Sequence, residues 1–95
     1  MPKQKDNNLN QLFEAILTLQ TMEDCDKFFE DICTIKELSA ISQRFAVANM
    51  LHQKRVYTDI ANKTGASTAT ISRVNRALSY GAGGYDLVLE RLKGR

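Results

Sequence analysis

Apolar residues recur at helical spacing through the first half of the chain, and they predict three helices. The predicted bounds are Asn8 to Leu19 or Gln20, Met22 to Ile32, and Ile35 to Gln53. Thr21 with Asp24, and Thr34 with Glu37, have the spacing of N-terminal caps for the second and third helices. The apolar stripe of the first helix is wide for its length, which indicates that it needs more partner surface than a small monomer offers.

A helix-turn-helix is predicted over residues 57–78. Ala61 is the small residue that two steeply crossing helices need where they touch, and Gly65 suits a turn that requires a positive φ. Ile71 and Val74 are three residues apart, so both should face back onto the first helix of the pair. The alternative interpretation is a structural helical hairpin in which the glycine only ends a helix.

A last helix is predicted from about Tyr85 to Leu92, after three glycines within residues 81–84. The polar residues 1–6 are expected to form a loose arm. No segment has the alternating pattern of a strand, so the predicted fold class is all-α with six helices. Helices over about 8–53 and 85–93 are expected to serve dimerisation.

The outer face of the second helix of the pair carries small, hydrogen-bonding and cationic side chains. They are Ser67, Thr68, Ala69, Ser72, Arg73 and Arg76. Such side chains suit the floor and walls of a DNA major groove. The pattern therefore favours a DNA-reading motif over a structural hairpin.

Composition supports one small domain whose charge is unevenly distributed. The chain has 95 residues and a net charge of +2. Eight acidic and two basic residues lie between Asp6 and Glu37, but six basic residues and one acidic residue lie between Arg44 and Arg76. Nucleic-acid affinity depends largely on phosphate neutralisation, so the basic half, which contains the helix-turn-helix, is the expected DNA-binding part. A core this small is marginal by itself, which makes oligomerisation a natural remedy.

Residues for catalysis or metal binding are scarce. The chain has one histidine, His52, and two cysteines, Cys25 and Cys33, without a CxxC pair. We expect no metal site and no enzymatic activity. The cysteines are expected to be reduced core residues of a cytoplasmic protein, because the sequence contains no signal segment and no apolar run that could span a membrane.

Several segments resemble the Trp repressor superfamily, and in particular its YerC/YecD type. They are Phe-Phe-Glu-Asp-Ile-Cys-Thr at 28–34, Gln43-Arg44, Thr-Gly-Ala-Ser-Thr-Ala-Thr-Ile-Ser-Arg-Val at 64–74, and Leu-Ser-Tyr-Gly at 78–81. The resemblance runs from about Leu9 to Lys93. It implies six helices, with the helix-turn-helix as the fourth and fifth, in an intertwined homodimer. Two recognition helices would then lie about 34–36 Å apart and contact a near-palindromic site in bacterial DNA.

The resemblance also implies which residues contact DNA. Thr68, Ala69 and Ser72 match the family's base-reading positions, while Thr58 could reach a phosphate or a base. Lys63, Arg73 and Arg76 suit phosphate anchors, which position the protein without specifying sequence. The full candidate set is Thr58, Lys63, Ser67, Thr68, Ala69, Thr70, Ser72, Arg73 and Arg76.

An effector site is implied at the positions where the family's founding member binds tryptophan. The matching residues are Thr34, Arg44, Thr70 and Arg73. Val74, however, replaces a glycine that leaves room for the indole ring, and Ala77 replaces a serine that helps to hold the amino group. We therefore expect no tryptophan corepressor and no cofactor, while a smaller or different effector, or none, remains open. We expect Arg44 and Arg73 to contact phosphate or an acidic side chain of the partner subunit.

The sequence thus predicts a dimeric, sequence-specific DNA-binding transcriptional regulator, with repression as the expected outcome. It is expected in the cytoplasm and on the nucleoid when bound to DNA. Two alternatives remain open at this stage. One is an architectural or replication module that binds DNA, and the other is an interaction domain whose helix-turn-helix binds protein instead of DNA.

Overall fold

The computed structural model describes residues 7–95, and the loose arm expected at residues 1–6 lies outside them. This part of the chain contains six helices and no strand, which confirms the all-α prediction. The helices are α1 Asn7–Ile16, α2 Met22–Ile32, α3 Ile35–His52, α4 Tyr57–Thr64, α5 Thr68–Tyr80 and α6 Gly84–Lys93. The chain divides into two compact units, Met1–Ile35 and Lys36–Arg95. The expectation of a single domain stays a prediction.

Helix α1 ends three to four residues earlier than predicted, at Ile16. The hydroxyl of Thr18 donates to the carbonyl of Ala15 at 2.7 Å, and the N–H of Leu19 bonds to Ile16, three residues back, at 3.1 Å. Such bonds tighten and close a last helical turn. The apolar spacing continues past this point, and for that reason the sequence pattern alone overestimated the length of the helix.

Helix α2 has the predicted bounds, and its predicted N-terminal cap is confirmed. The N–H of Asp24 donates to the Thr21 hydroxyl at 3.0 Å. The carboxylate of Asp24 in turn accepts from the backbone N–H of Gln20 at 3.0 Å. This backbone hydrogen bond is the main reason that the pKa of Asp24 lies below its ordinary value. The cap and the acidic first turn complement the positive end of the helix dipole.

No residue between 7 and 35 is buried within the chain. The side chains of Leu17, Met22 and Ile35 are 82%, 89% and 90% exposed. Both cysteines are free thiols, but Cys25 is exposed and Cys33 only half-buried. The prediction that both belong to the core is therefore wrong for the single chain, because α1 and α2 form amphipathic faces without burying them.

The second unit has a buried apolar core, supplied by α3, α4, α5 and the turn between the last two. The core residues are Val47, Ala48, Ile60, Ala66, Ile71 and Val74. Ile71 and Val74 do face inward as predicted, with 1% and 2% of their surface exposed. Val47 of α3 is fully buried, whereas Ile41 of the same helix is 44% exposed.

Candidate nucleic-acid interface

The first helix of the pair, α4, is positioned by charge at its start and by glycine at its end. Arg55 Nε lies 2.7 Å from Asp59 Oδ2, and this ion pair spans the entry into the helix. Gly65 ends the helix with φ of 75°, and its N–H bonds to the carbonyl of Ala61 at 2.9 Å. A left-handed residue at this position is strained for any side chain except glycine's hydrogen, so the predicted role of Gly65 is confirmed.

The second helix, α5, begins at a serine cap. Ser67 has extended backbone angles, and its hydroxyl accepts from the N–H of Thr70 at 3.1 Å. The same Ser67 hydroxyl donates to the hydroxyl of Thr70, also at 3.1 Å. These bonds satisfy an N–H that a helix start otherwise leaves without a partner. Ser67 and Thr70, both predicted to contact DNA, thus already hold hydrogen bonds within the protein.

Helix α5 runs two residues further than the predicted motif and ends at Tyr80. The N–H of Gly81 caps it by bonding to the carbonyl of Ala77 at 2.8 Å. A Cβ atom at Gly81 would collide with that carbonyl oxygen, so the close approach requires glycine. The two extra residues lengthen the outer face of the helix.

Most of the predicted DNA-contacting residues lie on the surface of the second unit. Thr70 is half-buried. The exposed ones are Thr58 and Lys63 on α4, Ser67 just before α5, and Thr68, Ala69, Ser72, Arg73 and Arg76 on α5. The buried residues of α5, Ile71 and Val74, belong to the core, so the inward and outward faces are divided as the sequence indicated.

The three predicted phosphate anchors are not among the cations that form ion pairs within the described chain. Lys27, Arg55 and Lys93 each lie within 4.0 Å of an acidic side chain: Glu23 at 3.7 Å, Asp59 at 2.7 Å and Glu90 at 3.4 Å, respectively. Within residues 7–95, Lys63, Arg73 and Arg76 form no such ion pair. Their charge is therefore available to an external anion, as a phosphate-binding surface requires.

Part of the predicted DNA-contacting surface lines an open groove of about 480 Å³. Its lining brings together three predicted residues, Ser72, Arg73 and Arg76, with four that the sequence analysis did not single out. These four are Tyr57, Asn75, Ser79 and Tyr80. Tyr80 is 87% exposed, a large fraction for an aromatic side chain. The helical spacing of Asn75, Ser79 and Tyr80 from Ser72 and Arg76 is the signal that could have found them.

The residues implied for an effector site have varied surroundings. Arg44 on α3 and Arg73 on α5 are exposed, Thr70 is half-buried and hydrogen-bonded to Ser67, and Thr34 is exposed directly before α3. Val74 is 2% exposed and packs in the core cluster. Ala77 lines a second open hollow together with Arg73, Arg76, Tyr80 and Gly81. Only residues of α5 and its C-terminal cap line that hollow.

The described residues contain neither a membrane-spanning helix nor a cluster of metal ligands. No helix of residues 7–95 has the length and apolar content that crossing a membrane requires. Across the same residues, no three side chains of the histidine, cysteine, aspartate or glutamate type lie close enough together to hold a metal ion.

Comparison with known proteins agrees with this arrangement. The family model of the Trp repressor protein matches residues 7–93. The uncharacterised protein YerC of Bacillus subtilis (strain 168) is 48% identical over 91 residues, which cover 96% of this chain and 88% of YerC.

Two solved structures have the same fold. A TrpR-like protein from Eubacterium eligens ATCC 27750 superimposes with a TM-score of 0.91 at 60% identity, covering 94% of this chain and 92% of that one. A protein from Staphylococcus aureus described as a candidate Trp repressor superimposes with a TM-score of 0.90 at 46% identity, covering 94% and 89%.

The family match covers nearly all the described residues, and the fold match is equally extensive. The resemblance found in the sequence at 28–34, 43–44, 64–74 and 78–81 is thereby confirmed. The exposed, cationic outer face of a helix-turn-helix is what a regulator of the DNA-binding kind presents. The chain belongs to the Trp repressor family.

Proposed function

We propose that this protein is a sequence-specific transcriptional repressor that binds double-stranded DNA as a homodimer through α4 and α5. It acts in the bacterial cytoplasm, associates with the nucleoid when bound, and has no enzymatic activity. The observation that carries the proposal is the outer face of α5, where exposed Thr68, Ala69 and Ser72 precede Arg73 and Arg76. These two arginines form no ion pair within residues 7–95.

The rigidity of α5 supports sequence reading and not only electrostatic attachment. Its start is capped by Ser67, and its inner face is anchored by Ile71 and Val74. A recognition helix must hold its first turn at a defined angle so that short side chains reach base edges. Thr68 and Ser72 can donate or accept there, and the Ala69 methyl suits the methyl group of thymine.

Phosphate contacts then fix the helix in the groove. Arg73 and Arg76 lie one turn apart on α5, and Lys63 lies near the end of α4. Thr58 is exposed in the first turn of α4, where it can reach the backbone or a base. Ser67 and Thr70 contribute through the helix start that their mutual hydrogen bond stabilises.

Homodimerisation is supported by the first unit. Its apolar side chains are arranged on helical faces, yet none of residues 7–35 is buried within the chain. A soluble protein rarely leaves so much apolar surface uncovered, and a second copy offers the same faces in self-complementary form. The dimer would also supply the second recognition helix for a near-palindromic site.

We propose that tryptophan is not the effector, and that repression needs no bound cofactor. Val74 fills its place in the core beside Ile60 and Ile71, so a flat aromatic ligand would have to displace packed side chains. In this proposal Arg44 and Arg73 contact phosphate, or an acidic side chain of the partner subunit.

The experiment that tests the proposal is a selection of bound duplexes from a random DNA pool at moderate salt, with and without tryptophan. Enrichment of a near-palindrome with half-sites one helical turn apart is the expected result in both arms. Enrichment only with tryptophan would overturn the role given to Val74. Binding of all sequences alike would favour an architectural module, and no binding at low salt would favour a protein-binding helix-turn-helix.

The variant Thr68→Ala then assigns a base contact on the selected site. The expected cost is on the order of 1–3 kcal/mol, confined to one base pair of each half-site. Binding to duplexes already changed at that base pair should be unaffected. An equal loss on every sequence would contradict the assignment of Thr68 as a base-reading residue.

A further inference from the structure

A side chain from outside the helix-turn-helix reaches into its turn. Gln43 is a half-buried residue of α3, and its Nε2 donates to the backbone carbonyl of Thr64, 21 positions along the chain, at 3.1 Å. Thr64 is the last residue of α4. We propose that Gln43 is a positioning residue for DNA reading, because its amide fixes the turn on α3 and thereby sets the orientation of α5. The inference rests on the DNA-binding function proposed above.

The turn has hydrogen bonds of its own, but they act over a short range. The Thr64 hydroxyl donates to the carbonyl of Ile60 at 2.8 Å and accepts from the N–H of Ala66 at 3.1 Å. The N–H of Gly65 bonds to Ala61 at 2.9 Å. All three bonds lie within residues 60–66, so they define the shape of the turn. The bond from Gln43 instead joins the turn to α3.

The carbonyl that Gln43 engages is one that a helix leaves without a partner. The last four carbonyls of an α-helix have no N–H four residues ahead within the helix, and Thr64 supplies such a carbonyl. The amide lies over the turn glycine as well, since a Cβ atom built on Gly65 would be 3.9 Å from Gln43 Nε2. Gln43 therefore contacts the backbone in the turn between α4 and α5.

Apolar packing alone defines this orientation less sharply. Ile60, Ile71 and Val74 hold the helix pair against α3 through contacts that have no preferred direction. A hydrogen bond has a narrow range of distance and angle, so it selects one arrangement among several that bury the same area. Base-edge contacts tolerate displacements of only about 0.5 Å, whereas phosphate attraction tolerates more. Loss of the amide should therefore reduce sequence discrimination before it reduces attachment to DNA.

The first test is Gln43→Met, which keeps the length of the side chain and removes the donor. We expect the affinity for the selected site to fall about 10-fold, while affinity for random duplex and the salt dependence stay unchanged, because the phosphate contacts are the same. Ser42→Ala is the matched control, since the Ser42 hydroxyl bonds only within α3, to the carbonyl of Leu38 at 2.9 Å. That control should bind both duplexes as the unaltered protein does.

The second test is Gln43→Glu, whose donor can be switched by pH. An ionised carboxylate cannot donate to the Thr64 carbonyl, whereas a protonated one can. We expect discrimination between specific and random duplex, taken relative to the unaltered protein at each pH, to recover as the pH falls toward about 4, because the ordinary pKa of a glutamate side chain is about 4.3. Gln43→Met should show no such recovery, and this difference separates a positioning donor from a residue that only fills space.

The outcomes distinguish this inference from the function on which it rests. If the unaltered protein selects a site and Gln43→Met binds it equally well, the inference is overturned and the proposed function stands. A parallel loss of specific binding, random binding and thermal stability would also overturn it, since that is the result of general unfolding. If the unaltered protein selects no site, both proposals fail together.

Discussion

The two compact units contain amphipathic helices of similar design, yet they bury them differently. In the second unit, Ile60 and Val47 have no exposed surface, and the apolar side chains of α4 and α5 meet α3 in one core. In the first unit, α1 and α2 have equally regular apolar faces, but none of residues 7–35 is buried. Helical periodicity identifies a face that must be covered, but it does not identify what covers it.

The comparison suggests that the two units have different roles. In the second unit, α4 and α5 bury Ile60, Ile71 and Val74 in one core with α3, which can hold α5 at a fixed angle. The α6 side chains of Leu87, Val88 and Leu92 stay 50%, 44% and 43% exposed. The first unit keeps its apolar surface for an external partner, which we propose to be a second copy of the chain.

Replacement of Ile60 by alanine tests the internal core. Ile60 is fully buried, so its truncation should lower the free energy of unfolding by about 2–5 kcal/mol. Urea unfolding followed by circular dichroism measures the change. Thr58→Ala is the control on the same helix, and because Thr58 is exposed its effect should stay within about 0.5 kcal/mol. Equal effects of the two variants would mean that α4 does not depend on the core.

The variant Leu17→Asp tests the external surface. Leu17 is 82% exposed in the single chain, so the charge should not disturb folding within one copy. If a second copy covers this residue, burial of an unpaired carboxylate should weaken the dimer on the order of 100-fold. Analytical ultracentrifugation gives the dissociation constant. Gln11→Glu adds the same charge at an exposed polar position of α1 and should leave association unchanged. An unchanged dissociation constant for Leu17→Asp would show that Leu17 is not part of a dimer interface.

Arg73→Ala tests whether the unpaired cations serve DNA. Loss of a phosphate anchor should weaken binding to all sequences on the order of 10-fold and reduce the slope of log affinity against log salt by about 0.9. Arg55→Ala is the matched control, because the charge of Arg55 is already paired with Asp59 at 2.7 Å. Its slope should change by less than half as much. Salt titrations of both variants on one duplex measure the two slopes. Identical slopes of log affinity against log salt would contradict the distinction between paired and unpaired cations.

The smallest expected effect concerns the start of α2. The hydrogen bond from the Gln20 N–H lowers the pKa of Asp24 in the folded chain. The carboxylate therefore stabilises the cap above the ordinary pKa of 3.8, and this contribution disappears as the pH falls through the lower, folded-state pKa.

Asp24→Asn should accordingly reduce the acid-induced loss of helical circular dichroism between about pH 6 and about pH 2. Asp26→Asn removes the same charge from α2 at a position that does not accept from Gln20, and it should retain that loss. If both variants titrate alike, the cap does not control the acid response.

Much of the fold and of the candidate interface could be predicted from the sequence. The number of helices, the bounds of α2, the αL turn at Gly65 and the inward direction of Ile71 and Val74 all follow from local rules of spacing, capping and backbone conformation. The surface position of Thr68, Ala69, Ser72, Arg73 and Arg76 follows from the same helical period. These features depend on residues close together in the chain, and for such residues sequence alone is sufficient.

Only the tertiary structure decided the features that depend on residues far apart. It buried Val47 but not Ile41, left Cys25 exposed, and placed Tyr57 beside Asn75, Ser79 and Tyr80 in one groove. It also brought the amide of Gln43 to the carbonyl of Thr64 across 21 positions of sequence. Helical period gives the direction of a side chain around its own axis, but which neighbour it meets depends on how the helices pack, and no local pattern encodes that packing.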